Sequence, residues 1–141
     1  MSESVELLAL AAEESVRVGA SVDGGLTTVR GDARLLRRVI RNMLENAVRY
    51  SGGSDSVAMQ VNLVGNVAQV DVLDRGPGVN EAERERIFEP FYRARGASER
   101  NGGVALGLSL ARQIALEHGG TLEFLVRAGG GGHFRLTLPT A

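Results

Sequence analysis

Two asparagines one helical turn apart occur in the stretch RNMLENAVRYS, residues 41–51. Asparagine is a poor helix former, although the apolar residues around the pair have the spacing of an amphipathic helix. On a helical projection Asn42 and Asn46 lie at the edge of the apolar face, and Arg49 lies about one turn further along that edge. An amide oxygen in this position can coordinate a hard cation, and an amide nitrogen can donate to phosphate. The helix alone is also compatible with the alternative that both amides bond only water or a neighbouring loop.

A carboxylate at the end of a strand is the second feature that could do chemistry. In DVLDRGPGV, residues 71–79, an apolar alternation ends at Asp74 and continues into a Gly-Pro-Gly turn. Because a carboxylate only accepts hydrogen bonds, it suits the exocyclic amine of adenine and disfavours the carbonyl of guanine. Gly76 and Gly78 would allow the backbone to approach a purine ring closely. An ordinary turn with an Asx contact is the alternative.

A glycine-bearing segment before a helix is the third feature, in GGVALGLSLARQIALEHGG, residues 102–120. The first N–H groups of a helix have no partner within it and favour phosphate. Neither Gly-Lys-Ser/Thr nor the G-x-G-x-x-G spacing occurs here, so the segment is not a P-loop or a dinucleotide fingerprint. A loop that merely precedes a core helix is the alternative.

Hydrophobic periods and turn signals predict the elements that position these features. A short helix is predicted over residues 3–14, followed by two extended segments on either side of the Asp-Gly-Gly turn at 23–25. Asp32 is a candidate N-cap for a helix that runs to about Tyr50. The apolar face of this helix is formed by Leu36, Ile40, Met43, Leu44 and Ala47.

The C-terminal half predicts strand pairs and one further helix. SVAMQVNLV and VAQVDVL alternate with period two around Gly-Asn at 65–66, which is typical of a hairpin. A helix is predicted from about Leu106 to His118, with a Gly-Gly C-cap at 119–120, and TLEFLVR and HFRLTLP predict two closing strands. Helices combined with antiparallel strand pairs indicate an α+β two-layer sandwich, with the helices on one face of a mixed sheet.

Composition limits the function classes. The 141 residues fit a single domain, and the absence of cysteine excludes disulfides, thiolate catalysis and cysteine-ligated metals. A formal net charge of −1 gives no basic surface for nucleic acid. No apolar run has the length of a membrane span, and the N-terminus is acidic where a signal peptide would be basic, so a cytoplasmic domain is expected.

Four segments, taken in order, resemble the N, G1, F and G2 boxes of the catalytic and ATP-binding domain of sensor histidine kinases. They are GDARLLRRVIRNMLENAVRYS, DRGPGV, IFEPFYR and GGVALGLSLARQIALEHGG. The resemblance covers nearly the whole chain, 1–141. It implies the GHKL, or Bergerat, ATP-binding fold that this family shares with DNA gyrase, mismatch-repair ATPases and a heat-shock chaperone. In that fold a mixed sheet of about five strands is covered on one face by about three helices.

The resemblance also implies ATP and Mg²⁺ as cofactors, and it implies roles for individual residues. Asn46 would supply its amide oxygen to Mg²⁺, Asp74 would accept from the adenine N6 amine, and Arg93 would reach the terminal phosphate. Phe88 and Phe91 would anchor the base of a lid over the nucleotide, unless they are plain core aromatics. The other residues expected to bind ATP are Asn42, Arg49, Tyr50, Gly76, Gly78, Gly103, Leu106, Gly107 and Leu108.

The type of reaction follows from one position in the asparagine-bearing helix. Hydrolysing members of the wider fold carry a glutamate one turn before the metal-binding asparagine, but here that position is Asn42, and an amide is not a base. Glu45 projects about 100° away from Asn46 and is expected to face solvent. The resemblance therefore implies little ATP hydrolysis. Catalysis would depend on positioning by Asn42 and on charge neutralisation by Mg²⁺ and Arg93.

The phosphate acceptor in this family is a histidine on a helical hairpin that lies N-terminal to the ATP-binding domain. His118 is instead expected to have a structural role at a helix end, and His133 either narrows the adenine pocket or has no role. The chain is thus expected to be an excised domain or half of a split kinase, without phosphoacceptor and sensor domains, monomeric and unable to autophosphorylate alone. Expected partners are the dimerisation domain of the same kinase and a response regulator, with the parent kinase anchored in the inner membrane.

One position departs from the family pattern. The G2 box usually reads G-x-G-L-G-L, and Ala105 replaces its middle glycine. A degenerate module that binds partners but not ATP is therefore one alternative function. A serine kinase of the anti-sigma-factor type is another, although it would hold a carboxylate base near Asn42 and would lack the F box.

Overall fold

The computed structural model describes residues 3–51, 57–74, 86–88, 104–126 and 131–140. Helices are separated by strands or by pairs of consecutive strands along these ranges, and a short 3-10 helix occupies Arg86–Phe88. In chain order the other elements are β1 (Glu3–Glu6), α1 (Leu7–Val18), β2 (Ser21–Gly24), β3 (Thr28–Gly31), α2 (Ala33–Ser51), β4 (Ala58–Val64), β5 (Val67–Leu73), α3 (Val104–Glu117), β6 (Thr121–Val126) and β7 (Gly132–Pro139).

The main sheet has five strands in the order β2-β4-β5-β7-β6. β2 runs parallel to β4, and the remaining neighbours are antiparallel, so the sheet is mixed. α2 lies between β2 and β4 in the chain and provides the crossover that a parallel pair requires. The predicted α+β two-layer sandwich, with a five-stranded mixed sheet and helices on one face, is confirmed.

The core lies between the helices and one face of this sheet. Inward residues alternate along the strands, as Val70 and Val72 do in β5 and Phe134 does in β7, and each of these side chains is buried. The apolar face predicted for α2 is confirmed, because all five of its residues are at most 1% exposed. These residues are Leu36, Ile40, Met43, Leu44 and Ala47.

The prediction of a helix over residues 3–14 is wrong for its first four residues. Residues 3–6 form β1, which pairs antiparallel with β3 in a separate two-stranded sheet, and α1 begins only at Leu7. Glu6 ends the strand and caps the helix, because its carboxylate accepts from the backbone N–H groups of Leu8 and Ala9 at 3.0 and 2.9 Å. The pairing partner of β1 is more than twenty residues away in the chain, and a local period does not report it.

Three predicted turns and caps are confirmed within the described residues. The Asp32 carboxylate accepts from the N–H groups of Arg34 and Leu35 at 2.9 and 3.2 Å, as an N-cap does. β4 and β5 form the hairpin around 65–66. Gly119 ends α3 with a φ of 79°, which is the left-handed conformation of a C-terminal glycine cap.

A buried carboxylate joins α1 to α2. Glu14 is 2% exposed and accepts from Arg41 Nε at 2.7 Å and from Arg37 Nη1 at 3.1 Å. Burial alone would raise the pKa of Glu14, but the hydrogen bonds from Arg41 and Arg37 outweigh it and lower the pKa. The two helices are therefore held together by an ion pair that requires an ionised Glu14.

Candidate functional site

Asn46 lies at the buried edge of α2 and is 2% exposed. Its Nδ2 donates to the Asn42 carbonyl oxygen at 2.7 Å, one turn earlier in the same helix. This bond orients the amide and turns Oδ1 the other way. Among the described residues Oδ1 has no hydrogen-bond partner although it is buried. A buried acceptor without a partner costs free energy. This oxygen is therefore suited to coordinate a cation or to accept a hydrogen bond from a bound molecule.

Asn42 contacts the start of α3. Its Nδ2 donates to the Gly107 carbonyl oxygen at 3.0 Å. A Cβ added at Gly107 would stand 3.5 Å from Asn42 Cγ, which is ordinary contact distance. The two asparagines therefore do different things: Asn46 presents an oxygen, and Asn42 joins the edge of α2 to the first turns of the helix that follows the glycine segment.

Asp74 lies directly after β5 and is 1% exposed. Its backbone N–H donates to the Gly132 carbonyl oxygen at 3.0 Å, and its Oδ1 accepts from the Gly132 N–H at 3.1 Å. A Cβ at Gly132 would lie 2.5 Å from Asp74 Oδ2, so only glycine allows β7 to approach the carboxylate this closely. Gly132 is a site residue that the sequence analysis did not identify.

His133 does not face the Asp74 side of the sheet, so of the two alternatives given for it the structure favours the one in which it does not narrow the adenine pocket. Strand alternation places Phe134 in the core and His133 on the opposite face. There His133 Nε2 donates to Asp71 Oδ1 at 2.6 Å, because a carboxylate can only accept. Arg135 Nε donates to the same oxygen at 2.8 Å.

The partners of Asp71 decide its ionisation. The carboxylate is 5% exposed. Burial alone would raise the pKa of Asp71, but the hydrogen bonds from His133 and Arg135 outweigh burial and lower it. The face opposite the helices thus holds an ionised carboxylate that is paired with two side chains, three positions before Asp74.

Several other predicted residues can be placed. Leu108 is 1% exposed, so its side chain belongs to the core. Phe88 is also a core residue, at 5% exposure, and the Arg112 guanidinium lies 4.2 Å from the centre of its ring. Glu45 is exposed, as expected. Ala105 is the second residue of α3, where helical backbone with negative φ suits alanine well.

The remaining predicted site residues cannot be located in this way. Arg93, Gly76, Gly78, Gly103 and Phe91 lie outside the described residues. Arg49, Tyr50 and Leu106 belong to α2 and α3, but their side chains also lie outside the described part of the structure. Their assignments stay predictions.

The described residues form a two-layer sandwich in which a buried amide oxygen of the helical layer and a buried aspartate after β5 are the candidate binding groups. Residues 31–141 match the family described as histidine kinase-, DNA gyrase B-, and HSP90-like ATPase. The chain belongs to this family, which confirms the resemblance read from the four boxes.

Individual relatives narrow the class further. The chain is 40% identical over 123 residues to the sensor protein KdpD and 37% identical over 135 residues to the sensor protein RstB, both of Escherichia coli. A solved mycobacterial sensor histidine kinase, MprB, superposes with a TM-score of 0.85 at 27% identity and covers 98% of both chains. The two relatives from Escherichia coli are thus named as sensor proteins, and the solved mycobacterial relative is named as a sensor histidine kinase.

The chain matches only a part of these relatives. The aligned regions span 86% of this chain but 14% of KdpD, and 95% of this chain but 30% of RstB.

In the described ranges no helix is long and apolar enough to cross a membrane.

Proposed function

We propose that this chain binds Mg-ATP and presents the γ-phosphate for transfer to a histidine on a separate dimerisation domain, in two-component signal transduction. The observation that carries the proposal is the buried Asn46 Oδ1, which has no hydrogen-bond partner among the described residues. Membership of this ATPase family supports the binding of ATP. The name of the solved relative MprB, a sensor histidine kinase, supports phosphotransfer to a histidine.

Mg²⁺ fits the chemistry of this oxygen. Magnesium prefers hard oxygen ligands and is usually bound by few protein groups together with phosphates and water. Among the described residues no group of three or more acidic, histidine or cysteine side chains could hold a metal ion. Asn46 would therefore contribute one ligand, and the bound ion would neutralise charge on the phosphates.

Asp74 is proposed to select adenine. Its Oδ1 accepts from Gly132, and the whole carboxylate is buried, so a purine here must donate a hydrogen bond. The N6 amine of adenine does so, whereas the O6 of guanine would place an acceptor against an acceptor. Gly76 and Gly78 are proposed to shape the floor of the pocket.

The chain is proposed to hold the terminal phosphate and not to hydrolyse it. Asn42 stands where hydrolysing relatives have a base, and Glu45 is exposed, so neither can activate a water molecule at the site. Asn42 would fix the start of α3, where Gly103, Leu106, Gly107 and the backbone of Leu108 are proposed to border the phosphates. Arg93, Arg49 and Tyr50 are the further groups proposed for the phosphate side.

Transfer would break the bond between the γ-phosphorus and the bridging oxygen, release ADP and form a phosphorus–nitrogen bond to an external histidine. His118 and His133 are not acceptors in this proposal, because each is bonded to other parts of the domain. The partners proposed are the dimerisation domain of the same kinase and a downstream response regulator. The domain would act on the cytoplasmic side of a kinase anchored in the inner membrane.

Calorimetric titration with a non-hydrolysable ATP analogue, with and without Mg²⁺, tests the proposal. The wild-type chain is expected to bind in the micromolar range and more tightly when Mg²⁺ is present. Asn46→Ala is expected to bind the analogue with an affinity that no longer responds to Mg²⁺, since the buried oxygen ligand is gone. No binding by the folded wild-type chain would contradict the proposal.

Glu45→Ala is the matched control for this experiment. Glu45 is the neighbour of Asn46 in α2, but its side chain is exposed, so its removal should leave both the affinity and the Mg²⁺ response unchanged. An equal loss in Glu45→Ala and Asn46→Ala would indicate a general effect on α2 and would contradict the role of the Asn46 oxygen.

A further inference from the structure

His118 joins the C-terminal end of α3 to the N-terminal end of α2. Its Nε2 lies 3.1 Å from the backbone nitrogen of Asp32, and its Nδ1 lies 2.8 Å from the Ile114 carbonyl oxygen. The Asp32 N–H can only donate and the carbonyl can only accept, so Nε2 must be the bare nitrogen and Nδ1 must carry the hydrogen. One ring thus connects the C-terminal turn of α3 to the residue that caps α2.

The pocket around this ring is closely fitted. A Cβ at Gly31 would lie 2.5 Å from His118 Cδ2, so the ring packs directly on the backbone at the end of β3. Asp32 uses its other groups within α2: its carbonyl accepts from Leu36 N at 2.9 Å, and its carboxylate caps the helix. The backbone N–H of Asp32 is therefore the one of these groups that bonds outside α2, and it donates to His118 at the end of α3.

The C-terminal end of α3 is also held on its other side. The Gly120 N–H donates to the Ala115 carbonyl oxygen at 2.9 Å, and a Cβ at Gly120 would lie 1.9 Å from the Thr137 carbonyl oxygen of β7. This end of α3 is thus fixed between the cap of α2 and the sheet. Its other end meets α2 through the Asn42 to Gly107 bond, roughly 16 Å away along the helix.

We infer that His118 is a positioning residue for the nucleotide site. α2 and α3 lie antiparallel, with the Asp32–His118 bond at one end and the Asn42–Gly107 bond at the other. A helix is stiff, so the first bond sets the axial position of α3 on α2 and thereby where Gly107 meets Asn42 beside Asn46. The inference rests on the proposed function, because the affected site is the one proposed to bind Mg-ATP.

Two substitutions separate the interhelical bond from the presence of the ring. In His118→Asn the shorter amide can donate to the Ile114 carbonyl, as Nδ1 does, but cannot reach Asp32. In His118→Gln the amide oxygen reaches about as far as Nε2 and can accept from the Asp32 N–H. His118→Asn is expected to weaken binding of the ATP analogue about threefold to tenfold, and His118→Gln to restore most of the affinity.

A second readout needs no nucleotide. The side-chain NH₂ signals of Asn42 in a ¹⁵N-correlated NMR spectrum report its bond to Gly107. They are expected to shift in His118→Asn and to return towards their wild-type positions in His118→Gln. Gly31→Ala should shift them as well, because the added Cβ displaces the ring without changing it. This variant replaces His118→Asn if the latter does not fold.

Unmoved Asn42 signals in His118→Asn or Gly31→Ala, or a His118→Gln chain as impaired as His118→Asn, would overturn the inference. The two readouts also separate it from the proposed function. A wild-type chain that binds no nucleotide contradicts the proposed function, whereas the Asn42 signals still decide whether His118 positions α3.

Discussion

Asp71 and Asp74 are two buried carboxylates at the end of the same strand, and they differ in what surrounds them. Asp71 faces away from the helices and is neutralised by the side chains of His133 and Arg135. Asp74 faces the helical layer and is bonded to the backbone of Gly132. Charged side chains compensate the first carboxylate, whereas the second accepts a hydrogen bond from a main-chain N–H.

The difference shows that one strand can carry a buried carboxylate that stabilises the fold and another that is proposed to bind a ligand. A buried charge with charged partners contributes to the native structure and presents nothing to a ligand. Asp74 is held in position by the backbone of β7, and its carboxylate still faces the helical side of the sheet. The following predictions use this contrast, beginning with the largest effect.

Asp74→Asn is expected to weaken binding of an ATP analogue about 100-fold, because the new amide NH₂ would oppose the adenine amine and leave donors unpaired. Asp71→Asn is the matched control, since it makes the same change three residues earlier on the other face. Its affinity should stay within about twofold of wild type. Calorimetry on both variants checks this, and similar losses would contradict the separate roles of the two carboxylates.

Asp71→Ala is expected to lower the free energy of unfolding by about 2 kcal/mol, because it leaves His133 and Arg135 without their shared acceptor. Both partners are partly exposed, so water limits the penalty below that of a fully buried pair. Urea denaturation measures the effect. His133→Ala should cost less, since Arg135 would still pair with Asp71, and an equal cost would contradict the shared-acceptor arrangement.

Gly132→Ala is expected to weaken nucleotide binding about tenfold, because its Cβ would lie 2.5 Å from Asp74 Oδ2 and 3.2 Å from the Phe124 ring. Asp74 would have to move from the position proposed for adenine recognition. His133→Ala, one residue later and on the other face, should leave the affinity unchanged. A competition titration with a fluorescent nucleotide distinguishes the two, and an unaffected Gly132→Ala would show that the carboxylate can shift without loss.

Acid is expected to reduce stability through Asp71 and Glu14. Both have a pKa lowered in the folded state, so the unfolded chain binds more protons and the free energy of unfolding falls as pH drops below about 5. Above that pH the contribution is fully present. Urea denaturation between pH 3 and pH 6, values chosen around those ordinary pKa ranges, follows the effect. Asp71→Asn should flatten part of the curve, and an unchanged slope would contradict the lowered pKa of Asp71.

Much of the fold could be predicted because its signals are local. The apolar face of α2, the Asp32 cap, the hairpin at 65–66 and the glycine C-cap of α3 depend on neighbours a few residues away. β1 was missed because it exists through pairing with β3, which lies far along the chain. Strand propensity depends on such partners more than helix propensity does.

The site was predicted in part for a similar reason. Asn46 and Asp74 followed from helical phase and strand ends. Gly132 was missed, although a signal was available: Phe134, Leu136 and Leu138 alternate as inward residues, so Gly132 shares their face and His133 does not. The 2.5 Å approach of Gly132 to Asp74 depends on the pairing of β5 with β7, which periodicity alone does not give.

The position of β7 inside the sheet has a consequence for biogenesis. β7 pairs with β5 on one side and β6 on the other, yet among the described strands it comes after both of these neighbours in the chain. Until residues 132–139 leave the ribosome, β5 has an open edge and the inner apolar faces of the sheet are incompletely covered. Non-local pairing of this kind slows folding, and an open edge invites association with other chains. β5 therefore keeps an exposed edge until β7 has been synthesised and has paired with it.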